Sequence, residues 1–371
     1  MPACALVLAS NLISLLLAAW FPAGAEIFNH AGWFLMEIIR VTSHWFADLP
    51  SAYFYVPEPS LFTTGLYYFI LLAVFTGWIF KPKLRAWKIG GLALLALVWC
   101  AQLWREQSAT NLTVLPLSGG SAIYFDAPGG KNDLIIDCGN ESAAEFVVKP
   151  FLRAQGVNGL NQLLLTHGDL RRVGGTAFVE KNFAVKQIAT SSISFRSPAY
   201  REIVARLAQT PERWRKLNCG DELGAWKILH PQPTDKFPQA DDGALVLLGN
   251  IGQTRVLLLS DLGRPGQNAL LERNKDLRAD IVVAGLPEQT EPLGDALLDA
   301  VQPQLIVIAD SEFPATKRAS TKLRERLGRR NIPVIYTREV GGVKFVFRSG
   351  EWKMTASDGK KISSRALRPT N

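Results

Sequence analysis

Hydrophobic residues are concentrated in the first part of this chain of 371 residues. Three apolar stretches approach the roughly 20 residues that a helix needs to cross a bilayer, and they lie at about 3–21, 61–80 and 88–104. A fourth stretch, at about 27–48, mixes charged residues and tryptophans with apolar ones, which favours a helix lying at the membrane interface. The pattern predicts a membrane segment over residues 1–104.

Beyond residue 104, short apolar runs alternate with helical patterns, which is typical of a layered α/β domain. We place this domain at 105–350 and interpret 351–371 as a basic tail. The predicted strands are Ala122–Phe125, Leu134–Asp137, Leu163–Thr166, Gln187–Thr190, Trp226–Leu229, Leu245–Leu248, Arg255–Ser260, Ile281–Ala284, Leu305–Ala309 and Val334–Thr337. The predicted helices are 141–155, 198–208, 267–277, 293–301 and 316–329.

The charge distribution gives the membrane segment an orientation. Residues 1–104 carry five basic and four acidic side chains, and four of the basic ones crowd the loop between the second and third stretches. Positively charged loops of membrane proteins face the cytoplasm. We therefore predict a multi-pass protein of the cytoplasmic (inner) membrane whose domain after residue 104 lies outside the cytoplasm. The first stretch lacks the basic start and cleavage site of a signal peptide, so we expect it to be retained.

Polar residues with metal-binding side chains follow an apolar strand at one point of the domain. Thr166, His167 and Asp169 come after Leu163–Leu165, and Gly174-Gly175 then opens a helix. This stretch resembles the Thr-His-x-His-x-Asp-His motif of metallo-β-lactamase-fold enzymes, in the Thr-His-x-Asp-x-Asp-His form of the ComEC-type competence proteins. In that family these positions carry metal ligands.

Further landmarks of the ComEC-type proteins occur in the same order along the chain. They are Leu115–Gly130, Leu134–Gly139, Leu229–Pro233, Asp241–Leu247 and Leu257–Gly263. The membrane segment is similar to the tail of the family's competence channel domain. The resemblance implies an αββα metallo-β-lactamase-like sandwich preceded by transmembrane helices, and a role in DNA uptake in which the sandwich domain acts on DNA as a nuclease.

The sequence departs from the family pattern at the metal ligands. Arg171 and Arg172 occupy the positions of the motif's second Asp-His pair, and Ala284–Gln289 contains no histidine where intact members have His-His-Gly-Ser. Only His167 and His230 remain in the soluble domain. Catalytic zinc sites take at least three protein ligands and usually rely on imidazole, so we expect no dinuclear site, no resident cofactor and a domain that binds or scaffolds instead of catalysing.

Three other interpretations of this region stay open. His167, Asp169 and Asp261 could hold a single zinc or manganese ion in a metal-dependent phosphodiesterase or nuclease, since Asp261 matches the family's bridging aspartate. Alternatively, Arg171 and Arg172 could bind phosphate at the helix start, because guanidinium groups and free N–H groups favour anions. Asp137 and Asp261 could instead be structural, with Asp261 pairing an arginine where the metal used to lie.

Partners follow from the same features. From the resemblance we expect contact with the lipid bilayer, with DNA and with other competence-channel subunits. A basic segment supplies a second candidate DNA surface: Lys317, Arg318, Lys322, Arg324, Arg326, Arg329 and Arg330. A purely structural membrane protein or a truncated family remnant remains an alternative. Cys138 and Cys219 could either pair as a disulfide outside the cytoplasm or stay buried and free.

Overall fold

The computed structural model describes residues 2–49, 54–77, 90–91, 93–100, 108–129, 133–348 and 350–367. The chain divides into two compact units, Met1–Val56 and Pro57–Asn371. The helices of the first unit are α1 (Pro2–Leu17) and α2 (Pro22–Ala47), and α3 (Leu61–Phe75) begins the helices of the second.

The membrane segment is only partly covered by these residues. The predicted interfacial helix at 27–48 overlaps α2, and α1 covers only the first part of the predicted span at 3–21 and ends at Leu17. Parts of the predicted spans at 61–80 and 88–104 lie outside the described residues. None of the described helices combines the length and the apolar character that a bilayer crossing requires, so they give the predicted transmembrane helices no support.

The second unit is built on two large β-sheets. The first has the order β16-β15-β14-β1-β2-β3-β4-β5-β6, and the second has the order β13-β12-β11-β10-β9-β8-β7. The strands of the first sheet are β1 (Thr110–Leu117), β2 (Gly120–Asp126), β3 (Leu134–Ile136), β4 (Gln162–Leu165), β5 (Gln187–Ser191), β6 (Trp214–Leu217), β14 (Val343–Arg348), β15 (Glu351–Ala356) and β16 (Lys361–Ser363). Those of the second are β7 (Glu222–Leu223), β8 (Trp226–His230), β9 (Val246–Ile251), β10 (Thr254–Ser260), β11 (Ile281–Ala284), β12 (Leu305–Ile308) and β13 (Val334–Tyr336).

Helices cover both sheets. Their bounds are α4 (Glu141–Ala143), α5 (Lys149–Ala154), α6 (Leu170–Val173), α7 (Thr176–Phe183), α8 (Pro198–Leu207), α9 (Arg264–Arg273), α10 (Asp295–Val301), α11 (Thr321–Gly328), α12 (Thr337–Val340) and α13 (Ser364–Leu367), with a π-helical turn at Ala144–Val148 between α4 and α5. One apolar core fills the space between the sheets, and a second and a third lie between each sheet and its helices. Four layers in the order αββα result, as the sequence predicted.

The last part of the chain differs from the predicted tail. Residues 351–363 form β15 and β16 at the edge of the first sheet. The reason is visible in β15, where Trp352, Met354 and Ala356 are buried in the core between the sheets while the residues that alternate with them stay accessible. Alternation of this kind is the mark of a half-buried strand, and the short, lysine-rich segment concealed it.

Candidate functional site

The polar residues singled out by the sequence gather where strands of both sheets end. Asp137 follows β3, and Thr166 and His167 follow β4. Ser260 ends β10, and Asp261 comes directly after it. Two contacts join the sheets at this point: the hydroxyl oxygens of Thr166 and Ser260 lie 2.9 Å apart, and the Leu245 N–H donates to the Thr166 carbonyl over 2.9 Å. The site is therefore a junction between the two sheets.

Thr166 fixes the carboxylate of Asp137. Its backbone N–H and its hydroxyl each donate to one Asp137 oxygen over 2.8 Å. Asp137 has φ of 57° and Ser260 has φ of 49°, which is the left-handed region that costs a non-glycine residue about 1–2 kcal/mol. Such strain persists only where surrounding contacts hold it in place. Burial raises the pKa of Asp137, and the charge of Arg172 only partly opposes this effect.

Asp261 lies between two buried cations. The Arg172 guanidinium forms a short contact with Oδ1 and donates from Nε to Oδ2 over 3.3 Å. The Lys317 ammonium donates to Oδ2 over 2.9 Å and to the carbonyl oxygen of Leu286 over 2.6 Å. Burial alone would raise the pKa of Asp261, but the charges of Arg172 and Lys317 outweigh it and hold that pKa below its usual range. The two cations thus favour the ionised form of Asp261.

Arg172 connects this carboxylate to the first sheet. Arg172 is 2% exposed. Its Nη1 donates to the Ser121 carbonyl over 3.1 Å, to the Ser121 hydroxyl over 3.0 Å and to Asp137 Oδ2 over 3.4 Å. Burial would lower the pKa of Arg172, yet the carboxylates of Asp261 and Asp137 raise it. Gly285 makes room for the pair, because a Cβ there would lie 1.8 Å from Asp261 Oδ1 and 2.7 Å from the Arg172 Nη2.

His167 faces a second carboxylate that the sequence did not single out as part of a site. Its Nε2 lies 3.5 Å from Asp241 Oδ1 and 4.0 Å from Asp261 Oδ2, so this buried nitrogen has no close hydrogen-bond partner. Asp241 Oδ2 accepts from the Glu288 N–H over 2.8 Å. Burial would raise the pKa of Asp241, but the adjacent His167 lowers it on balance.

Asp169 and Arg171 form the rim of the site. Asp169 caps α6 by accepting from the Arg171 N–H over 2.9 Å, and its other oxygen lies 3.3 Å from Arg171 Nε. Arg171 also forms a short ion pair with Glu288. Within the described residues, His167, Asp169 and Asp261 are the one group whose ligand atoms could meet around a metal ion, since they all lie within 4.8 Å of one another.

Side chains fill the interior of the site. A cavity of about 10 Å³ is left among Ser121, Asp137, Thr166 and Arg172, which is space for about one water molecule. The inward path to Asp137 is therefore closed to a substrate.

The structure brings four of the predicted site residues, Asp137, His167, Arg172 and Asp261, into one network. Their partner Lys317 is a difference from the sequence analysis, which predicts it on a basic helix that could contact DNA. Lys317 instead ends a turn before α11 and is 2% exposed. Nothing in its sequence context distinguishes it from neighbouring exposed cations. Asp241 lies within one of the family landmarks, but the sequence does not predict it as a site residue.

The rest of the basic segment is largely neutralised within the domain. Arg326 and Arg330 pair with Asp295 at 3.3 and 2.8 Å, and Arg330 also reaches Asp299 at 2.6 Å. Arg324 forms ion pairs with Asp310 and Glu339.

The two cysteines of the domain do not form a disulfide. Cys138, which is buried, and Cys219, which is half-buried, are both free thiols.

The comparisons with known proteins agree with the motifs. No protein-family model matches the chain. It is 21% identical over 261 residues to ComE operon protein 3 of Bacillus subtilis (strain 168), an alignment covering 65% of this chain and 34% of that protein. It is 23% identical over 322 residues to Competence protein ComA of Neisseria gonorrhoeae, covering 85% of this chain and 43% of that protein. The resemblance to ComEC-type competence proteins is confirmed, and the chain spans less than half the length of these relatives.

Two solved structures are also similar to part of this chain. Igni18, a metallo hydrolase from Ignicoccus hospitalis KIN4/I, is 14% identical, with a TM-score of 0.42 over 64% of this chain and 100% of the other. YhfI from Bacillus subtilis, a metallo-β-lactamase fold protein, is 12% identical, with a TM-score of 0.41 over 64% of this chain and 99% of the other.

Proposed function

We propose that this chain, a relative of the ComEC-type competence proteins, serves DNA uptake as a membrane-anchored binding element whose sandwich domain does not hydrolyse DNA. The relatives named competence proteins support the role in uptake. The observation that carries the loss of hydrolysis is the position of Asp261 between Arg172 and Lys317. In this proposal two side-chain cations replace the metal cations of intact family members.

A metal ion does not fit these residues well. Both oxygens of Asp261 already accept hydrogen bonds from cations, and Asp169 caps α6. A divalent ion about 4 Å from one fixed positive charge meets roughly 8 kcal/mol of repulsion at an effective dielectric constant of 20, and two such charges flank Asp261. His167 would be the one nitrogen ligand, which is poor for zinc.

A metal-dependent nuclease or phosphodiesterase with a single ion is the second candidate. It is favoured by the close approach of His167, Asp169 and Asp261, within 4.8 Å, and by the unpartnered, buried Nε2 of His167. Hydrolysis by this site would need Lys317 or Arg172 to leave Asp261.

The membrane anchor rests on the first unit. In the helix pair of α1 and α2, large apolar side chains such as Leu16, Trp20 and Trp33 are exposed. The contacts between the helices are small or polar instead: the Ser14 hydroxyl donates to the Ala25 carbonyl over 2.7 Å, and Gly32 packs on Asn11. Small residues inside and large apolar residues outside are typical of helices that pack in lipid. Resistance of the chain to alkaline extraction from membranes tests the anchor.

Metal content separates the two candidates. The full chain, purified in detergent after growth with added zinc and manganese, is expected to hold substoichiometric metal and to leave single-stranded and duplex DNA uncut. One metal ion per chain that disappears in both His167→Ala and Asp261→Ala, together with cleavage, would establish the nuclease. The same preparation is also tested for DNA binding. Binding that weakens steeply between about 50 and 200 mM salt supports the binding role. If no such binding occurs, only a structural role remains, with other channel subunits as partners.

A further inference from the structure

The outward face of β14–β16, at one end of the first sheet, carries three lysines. Lys344, Lys353 and Lys361 alternate with buried residues such as Phe345 and Met354, so the three ammonium groups lie on the side away from the core. In register, Lys344 pairs with Thr355, and Thr355 pairs with Lys361. Strand spacing then separates Lys344 from Lys361 by about 10 Å, and Lys353 lies about 7 Å from Thr355 along β15.

These three lysines have no close counter-ion among the described residues, a property that other exposed lysines such as Lys186, Lys227 and Lys275 share but that most arginines around the candidate site and α11 do not. No described carboxylate approaches the ammonium of Lys344, Lys353 or Lys361 within 4.0 Å, whereas Arg171, Arg172 and most of the basic segment around α11 form ion pairs. Two acidic groups lie near this face: Glu351, two residues before Lys353 on β15, pairs with Arg365, and Asp126 accepts a hydrogen bond from Asn111 over 2.8 Å while Lys344 acts on it only at longer range.

Protection of the sheet edge does not account for the pattern. Lysines often blunt an exposed edge strand, and this could explain Lys361 on β16. Lys344, however, lies on β14, which is hydrogen-bonded to β1 on one side and β15 on the other. Clustered like charges on one sheet face cost free energy, so the arrangement needs another reason.

We propose that the outward face of β14–β16 is a binding surface for a nucleic-acid backbone. This inference rests on the proposed DNA-binding role and names its surface. Each strand of duplex DNA carries one phosphate per about 3.4 Å of helix axis, so three lysines within about 10 Å of one another can contact several phosphates at once. The hydroxyls of Thr355 and Ser363 lie between the lysines and can donate to phosphate oxygens. A groove of about 360 Å³ runs beside them, lined by Lys353, Lys361 and the apolar Ile362 and Leu367.

The test compares two triple variants of equal charge in the full, detergent-purified chain. The first is Lys344→Gln with Lys353→Gln and Lys361→Gln; the second changes the exposed Lys186, Lys227 and Lys275 to Gln. Binding of a fluorescent 30-base-pair duplex is measured by anisotropy against salt. The first variant is expected to bind at least tenfold more weakly, with a salt slope reduced by about 2.7, because each phosphate contact contributes about 0.9. The second is expected to bind as the parent does, and thermal unfolding confirms that both are folded.

The outcomes are distinguishable. Equal loss in both variants, or no loss in the first, overturns the surface while the DNA-binding role stands. No binding by the parent chain overturns both. If the first variant alone loses association with vesicles containing an anionic phospholipid, and the parent does not bind DNA, the lysine face is a membrane contact and the inference is wrong.

Discussion

Replacing Lys317 by methionine removes one of the two cations that hold Asp261. Lys317 is 2% exposed, and its ammonium donates to Asp261 over 2.9 Å and to the Leu286 carbonyl over 2.6 Å. Removing one partner of a buried ion pair costs about 3–5 kcal/mol, because the remaining charge is left without compensation. Arg172 still neutralises part of the Asp261 charge, so we expect Lys317→Met to lower the free energy of unfolding by about 3 kcal/mol.

A double-mutant cycle isolates the ion pair from lost packing. Asp261→Asn alone leaves Lys317 and Arg172 as buried cations and is expected to cost about 3 kcal/mol as well. The double variant has no charge at either position, so its cost should fall short of the sum by about 2 kcal/mol. Urea unfolding followed by near-ultraviolet circular dichroism measures each value.

Lys322→Met is the matched control for this cycle. The Lys322 side chain is 84% exposed and lies 3.8 Å from Glu291, a surface pair of the kind that contributes little. It should be indistinguishable from the parent chain. If Lys317→Met unfolds at the same urea concentration as Lys322→Met, or if the cycle shows additivity, Lys317 does not replace a metal cation at Asp261.

Two further variants test the packing and the protonation of the domain. Gly285→Ala places a Cβ 1.8 Å from Asp261 Oδ1 and should lower the free energy of unfolding by at least about 2 kcal/mol, measured by thermal unfolding. The control Gly328→Ala has no described atom within 4 Å of the new Cβ and should leave the stability of the domain unchanged. Equal melting temperatures for the two variants would contradict the close packing at Gly285. Burial holds the pKa of His230 below its ordinary value, so on acidification the unfolded chain binds a proton at His230 more readily than the folded chain does. Stability is complete above about pH 6.5 and falls on acidification by up to about 1.4 kcal/mol per pH unit, and His230→Phe should flatten this dependence.

Most strand positions could be predicted because short apolar runs are themselves typical of buried strands. All ten predicted strands lie within or overlap observed ones, from β2 through β13. The strands that sequence patterns missed are β1, β6, β7, β14, β15 and β16. β7 and β16 are too short to show a period, and β15 alternates lysine and threonine with its buried residues inside a segment that otherwise reads as a polar tail.

The sequence by itself determined the layered fold and the resemblance to competence proteins, and that resemblance implied that Asp137, His167, Arg172 and Asp261 lie together. These follow from local patterns: apolar runs, strand-end polar residues and motifs of fixed spacing. Only the tertiary structure decided which cations are internal. Lys317 lies 56 residues from Asp261 along the chain, and no periodic pattern in a sequence marks a charged side chain as buried. Its pairing arises because the loops after β10, β11 and β12 converge at one edge of parallel strands, which a linear pattern does not record.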